Sequence, residues 1–384
     1  MKIFVWHWGR FGTGSRYAFE LAQALREYCG YETLLSLAEG AELMQNSSLR
    51  GTVDLPLYTY ANTQEFLWRS FRVQSLLKPM VERLRATPPD AAIVTMMGYW
   101  DIFIVRHLHR LGVPVVVIAH DAEMHPGDSF PIMIRLQRRL VRDSDGVITL
   151  TNFVADQFKR RVSLDRKIQS VIPHVAFANA DLDLSPPAPP EPNRGRPLRL
   201  LMAGRLKRYK GLDLLTGAFK HLSGLPVTLR VVGASEDPSE LAELAQLPNV
   251  EFDVGWKDDR AFLSHVDWAD ACVLPYIEAS QSGIAPLSFS RGRAVVATPV
   301  GGLPEQVRHG ETGLLTETVS AVALATSIKR LAEDRNLTRC LGENALRHAE
   351  TEISWAVLAP RFAAVLEAVM QRRAQHGETR LVCL

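Results

Sequence analysis

YIEASQSGIAPLSFSRGRAVVATPVGGLPE, Tyr276 to Glu305, is the stretch on which the reading of this chain turns. It reads as a strand end, a glycine turn, a short helix, a strand and a second glycine turn. Ser280 and Ser282 are helix-capping residue types, Gly283 lets another molecule approach the backbone, and Pro286 is tolerated in a first helical turn but no deeper. A helix starting there aims unpaired backbone N–H groups and its positive dipole end at whatever lies in front, and a phosphate suits that place. Residues 293–298, RAVVAT, are mostly apolar, as in central parallel strands covered on both faces. Gly301 and Gly302 end the run, and Pro304-Glu305 suits a new helix start with a carboxylate in its first turn. On these residues alone an ordinary strand, loop and helix of an α/β domain reads equally well, so the rest of the chain decides.

On both sides of this stretch, strand-like runs alternate with helical patterns. Strands are expected at 3–8, 33–38, 91–96, 113–119, 146–151 and 171–175, with helical segments between them. At Asp181 the composition shifts: DLDLSPPAPPEPNRGRP, residues 181–197, holds six prolines and no periodic apolar residues, and reads as a linker. Alternation restarts at 198–203 and continues at 227–232, 250–254, 271–275, 294–298 and 312–315. The expected fold class is α/β: two Rossmann-like, doubly wound parallel-sheet domains, 1–180 and 198–359, facing each other across a cleft. Trp355, Leu358, Phe362, Val365, Leu366 and Val369 suit one face of a terminal helix, whose last part, from about 360 to 384, could pack back on the first domain.

The totals exclude some classes. The 384 residues suffice for two domains with full cores, and 44 Lys plus Arg against 42 Asp plus Glu give no bulk polycation for general nucleic-acid binding. Cys29, Cys272, Cys340 and Cys383 have neither metal nor redox spacing and read as reduced structural thiols of a cytosolic protein. The opening MKIFVWHWGRFG is too short and polar-ended for a signal peptide, and no apolar run approaches the roughly 20 residues of a membrane span.

Several residues could carry chemistry. Arg205 and Lys210 follow the strand at 198–203 and could clamp a diphosphate, the guanidinium chelating two oxygens and the ammonium adding a point charge; solvated surface charge is the alternative. Gly9, Gly12 and Gly14 stand between strand and helix. They approach a dinucleotide fingerprint, but Tyr17 occupies the third glycine's place, so a tight turn remains open. His120 ends a strand and could hydrogen-bond a sugar or assist proton transfer, or be purely structural, and His125 follows it. His174 reads as structural, while the role of His7 stays open.

Together, GRLKRYKG, the serine-glycine helix start, VVATPVGGLPE and a later GETGLL resemble glycosyltransferase family 4, retaining enzymes of the GT-B fold. The resemblance extends to the N-terminal glycine loop, the strand ending in His120, LTNFVADQF and VEFDVGW. It implies that Arg205 and Lys210 bind a donor's diphosphate, that Ser282, Gly283 and Ile284 offer it backbone N–H groups, and that Gly12, Thr13 and Gly14 border the same site. His120 becomes the sugar-facing histidine, and Gly255 and Trp256 border the base. The family's two loop glutamates, eight positions apart, would fall on Ala279 and Leu287. This SQSG form therefore implies a changed donor contact, with Glu278 or Glu305 taking over a hydroxyl.

The implied function is retaining transfer of a hexosyl group from a nucleotide diphosphate sugar to an acceptor hydroxyl, without a metal or other cofactor. A glycan or lipid-linked acceptor, a polysaccharide precursor among them, fits. Two basic stretches, 66–78 with its aromatics and 132–142, leave peripheral contact with an anionic membrane open for this cytoplasmic protein. A nucleotide-sugar epimerase and a non-catalytic sugar-nucleotide binder are the competing readings.

Overall fold

The computed structural model describes residues 1–123, 131–165, 167–179, 182, 184, 187, 195–235 and 237–382. His125, Cys383 and most of the proline-rich segment at 181–197 lie outside the described residues. The chain divides into two compact units, one of Met1–Glu123, residues 131–172 and the chain from Trp355, the other of Pro173–Ser354.

The first unit contains β1 (Lys2–His7), β2 (Glu32–Leu37), β3 (Ala91–Val94), β4 (Val115–Ala119), β5 (Gly146–Thr149) and β6 (Ile168–Val171). Its helices are α1 (Gly14–Cys29), α2 (Ser47–Arg50), α3 (Thr63–Phe71), α4 (Val73–Ala86), α5 (Asp101–Arg110), α6 (Pro131–Asp143) and α7 (Asn152–Lys159). The second contains β7 (Leu198–Ala203), β8 (Val227–Gly233), β9 (Val250–Val254), β10 (Ala271–Leu274), β11 (Ala294–Ala297) and β12 (Gly313–Leu315). With them come α8 (Leu212–His221), α9 (Asp259–Trp268), α10 (Ile284–Ser290), α11 (Leu303–Gln306), α12 (Ala321–Glu333) and α13 (Arg335–Thr351). The last helix, α14 (Trp355–Val382), returns to the first unit.

Each unit is built on a six-stranded sheet, and every strand pairing is parallel. The reason is in the side chains: β3, β4, β10 and β11 are buried at every position, so helices must cover both faces. The orders differ. The first sheet runs β2-β1-β3-β4-β5-β6 and reverses between β1 and β3; the second runs β12-β11-β10-β7-β8-β9 and reverses between β7 and β10. Ligands of such sheets bind beyond the strands' carboxyl ends at these switch points.

One strand departs from expectation. The strand expected at 171–175 lies at Ile168–Val171, paired with β5 from Gly146–Ile168 to Thr149–Val171. Pro173, which has no N–H to give a ladder, stands just beyond it. α14 packs on α1 and on β3 to β6 with Trp355, Leu358, Phe362, Val365, Leu366 and Val369 buried. A β-carbon at Gly146 would lie 2.9 Å from Val369 Cγ1, so the glycine is what lets α14 lie close to β5. No single helix among the described residues is long and apolar enough to cross a membrane.

Candidate functional site

At the second sheet's switch point, β7 ends in Gly204-Arg205 and β10 leads into Tyr276. Lys210, at the end of a short 3-10 turn, folds back over the end of β7: a β-carbon on Gly204 would be 3.0 Å from its Nζ. The fold-back depends on Gly211 (φ 75°), where a β-carbon would meet Pro275 O at 1.8 Å. Lys210 Nζ donates to Tyr276 Oη at 3.1 Å and lies 4.9 Å from the ring centroid. Tyr276 Oη and Ser282 Oγ are 3.3 Å apart, and Ser282 Oγ accepts from Ile284 N at 3.2 Å. A chain of hydrogen bonds thus runs from an ammonium on β7's side of the switch point to the first residue of α10 on β10's side.

The loop before α10 is held from outside by Gln306, whose Oε1 accepts from Ser282 N at 2.7 Å and whose Nε2 donates to Ser282 O at 3.0 Å. The helix start is therefore rigid before anything binds, which lowers the cost of ordering it around an anion. Arg205 is exposed, and no described residue pairs with its guanidinium. Lys210 spends one of its three donors on Tyr276. An unpaired guanidinium, a half-buried ammonium and a helix N-terminus at one strand edge can together bind a multiply charged anion with bidentate geometry.

The serine cap expected for α10 is displaced. Gly283 takes the cap position with φ −71° and makes no side-chain cap, while Ser282 acts one residue earlier through Ile284 N. The backbone turns into αR at Gly283 itself, so the cap position carries no side chain to bond back. Gly255 (φ 129°) and the exposed Trp256 follow the edge strand β9. Glu278 and Glu305 are both exposed, Glu305 in the first turn of α11 and next to Gln306. His174 is buried, with Nδ1 donating to Val175 O at 2.8 Å and Nε2 3.6 Å from where a β-carbon on Gly283 would stand.

The first sheet's switch point is filled differently. The His7 ring, 2% exposed, lies where β-carbons on Gly9 and Gly14 would come within 2.5 Å of it. Those two glycines are the room the imidazole needs, which explains two of the three N-terminal glycines without a ligand. His7 Nδ1 donates to Met96 O at 3.2 Å, and His120 Nε2 donates to Thr95 O at 2.8 Å, so carbonyls at the end of β3 fix both tautomers. Burial drives His7 down to about 4, with the charge of neighbouring His120 adding to the effect, and burial also lowers His120. Both rings are neutral near pH 7. Gly12 (φ 83°) gives its N–H to Glu42 Oε2 at 3.0 Å, and Thr13 caps α1 without a side-chain bond. Tyr17 packs edge-on against His120 (5.6 Å) and Trp355 (5.4 Å), so the place of a fingerprint's third glycine belongs to an aromatic core residue.

Arg205, Lys210, Ser282, Gly283 and Ile284 thus come together in the second unit, and His120, Gly12, Thr13 and Gly14 share one edge of the first. Tyr276 and Gln306 were missed by the sequence reading. Tyr276 opened the decisive stretch, but its hydroxyl's partners are 66 residues back and six ahead, and no periodicity signals such a pair. Among the described residues, no group of three or more His, Cys, Asp and Glu is placed to hold a metal ion.

Comparison with known proteins bears on family and fold. Residues 14–175 match the model of Glycosyltransferase Family 4, and residues 197–334 that of Glycosyl transferases group 1. A D-inositol 3-phosphate glycosyltransferase of Streptomyces avermitilis is 30% identical over 330 residues, covering 73% of this chain and 69% of that protein. Its counterpart from Streptomyces bingchenggensis is 27% identical over 310 residues, 72% of this chain and 65% of that protein. The chain thus spans just under two thirds of that relative, and under half of two Corynebacterium relatives of the same description. Among solved structures, the Anabaena protein HepE in complex with UDP and glucose superposes with a TM-score of 0.72 at 17% identity, covering 96% of this chain and all of that one. That likeness is one of fold, and the fold is GT-B.

Proposed function

Because the chain belongs to glycosyltransferase family 4, we propose that it is a retaining hexosyltransferase, moving a hexosyl group from a nucleoside diphosphate sugar to an acceptor hydroxyl. One observation carries the reading: the chain from Lys210 through Tyr276 and Ser282 to Ile284 N, with unpaired Arg205 beside it, at the switch point of a parallel sheet. That arrangement favours charge appearing on a leaving diphosphate, often the largest contribution to catalysis. Arg205 and Lys210 take the place a metal fills in other sites. The bond from the anomeric carbon to the diphosphate oxygen breaks and one to the acceptor oxygen forms on the same face. The acceptor's proton passes to the departing diphosphate.

His120 meets the sugar as a neutral imidazole, Gly12, Thr13 and Gly14 border the donor, Gly255 and Trp256 border the base, and Glu278 or Glu305 contacts a donor hydroxyl. Related structures carry UDP and UDP-glucose, which makes a UDP-hexose the first donor to try. The acceptor class we favour is a lipid-linked or polysaccharide-precursor glycan, reached in the cytoplasm with peripheral contact at an anionic membrane face. The test is incubation of the purified chain with nucleotide sugars, with and without glycan acceptors. Transfer with retained anomeric configuration is expected. An epimer formed without acceptor, or donor binding with neither transfer nor hydrolysis, contradicts the reading.

A further inference from the structure

The first unit carries a helix turned the wrong way out. α3 (Thr63–Phe71) is properly capped, Asn62 accepting from Glu65 N at 2.9 Å, yet it buries none of its residues. At 100° per residue, Leu67, Phe71 and Trp68 form one stripe about 100° wide, and they are 56%, 91% and 55% exposed. The opposite side is the one that is tied down: Phe66 packs on Tyr60 and Tyr99 at 4.9 Å each, and Ser70 Oγ accepts from Trp100 Nε1 at 3.0 Å. The apolar stripe therefore faces away from its own unit. α4, which follows, has an ordinary inward face of Val73, Leu77, Met80, Val81 and Leu84. The basic helix α6 likewise packs through Leu140 and Val141, so of the two basic stretches in the sequence only the first is inverted.

Charge singles out the partner. From Thr63 to Lys78 there is one acidic residue, Glu65, bonded to Ala61 N and Tyr58 Oη, against Arg69, Arg72 and Lys78. Three of the exposed rings nearby have a guanidinium over them: Arg72 over Trp68 at 4.4 Å, Arg69 over Tyr58 at 4.6 Å, and Arg10 over Phe11 at 5.0 Å. Phe11, 72% exposed in the glycine loop, joins the same surface, because Arg10 donates to Ala61 O at 2.7 Å just before α3 begins.

We infer that this surface, Phe11 with Leu67, Trp68 and Phe71 of α3, docks on an anionic lipid bilayer. A lipid interface accepts rings at the acyl boundary and guanidiniums at the phosphates in one plane. A protein partner would need an apolar pocket and carboxylates interleaved to match. The inference gives a surface to the membrane contact proposed above but requires no step of glycosyl transfer, so its failure would leave the transfer reaction itself standing.

Flotation of the full chain with phosphatidylcholine vesicles, and with vesicles also containing phosphatidylglycerol, tests it. The chain should float with the anionic vesicles and lose most binding as salt is raised. Leu67→Ser with Phe71→Ser should weaken binding about tenfold or more, and Arg72→Glu roughly tenfold. A blue shift of tryptophan emission on binding should shrink in Trp68→Phe, a variant that keeps the ring and the fold. Absence of flotation with either vesicle overturns the inference, as does undiminished binding by the folded Leu67/Phe71 variant. A dimer in sedimentation that these substitutions dissolve also overturns it, since the stripe would then belong to a second copy.

Discussion

The two switch points use glycine for opposite purposes. In the first unit Gly9 and Gly14 clear space for the protein's own His7 ring, which is neutral, buried and hydrogen-bonded to Met96 O. In the second, the turn at Gly283 leads to a helix start braced by Gln306, with Lys210 and Arg205 before it. The first turn is filled by the chain itself. The second concentrates positive charge that no described carboxylate neutralises. Topology alone would have made the two edges equivalent candidates; side-chain occupancy separates a turn whose glycines make room for the chain's own histidine from one that stands beside unneutralised cations.

Substitutions at the two turns should therefore diverge most. Gly14→Ala drives a β-carbon into the His7 ring and should destabilise the first unit by about 3 kcal/mol, measured by denaturant unfolding. In a His7→Ala background the same change should cost under about 1 kcal/mol, the coupling being the sign of a turn built around that ring. Equal costs in both backgrounds would break the comparison.

Acid should act next most strongly, and on the first unit. His7 titrates near 4 when folded, against about 6.5 when unfolded. Between those values the unfolded chain binds the extra proton, so this contribution is fully present above about pH 6.5 and lost as pH falls toward 4. Asp101, raised to about 7 by burial although Gly98 N and Trp6 Nε1 donate to it, has the opposite sense, contributing at low pH and fading as pH rises toward 7. The stability difference between the parent chain and His7→Gln should grow with pH across this window, by on the order of 2 kcal/mol. A difference independent of pH would remove the buried neutral imidazole from the account.

How far could this contrast be read in advance? The strand expected at 198–203 is β7 to the residue, because its apolar run stops at Gly204 and starts after a proline-rich segment. Arg205 and Lys210 fell where a strand end puts them. β6 was misplaced because Ile172 and Val175 look strand-like on either side of Pro173, whose missing N–H ends the ladder. Tyr276, Gln306 and the purpose of Gly14 were illegible, since each is defined by a side chain distant in sequence and none by a period.

Smaller effects sharpen the second turn. Tyr276→Phe removes the hydroxyl linking Lys210 to Ser282 and should weaken nucleoside diphosphate binding about fivefold, near 1 kcal/mol, with the fold intact. Gly283→Ala, with φ −71° and only ordinary contact to His174 at 3.6 Å, should change stability by under about 1 kcal/mol while hindering the approach of an anion. Thermal unfolding with and without nucleotide separates the two effects.

Calorimetric titration of UDP into the parent chain, Arg205→Ala and Lys210→Ala tests the central claim most directly. A saturable site is expected in the parent and at least roughly tenfold weaker binding in each variant, the loss of a charge-assisted contact with phosphate. Undiminished affinity in both folded variants would contradict it.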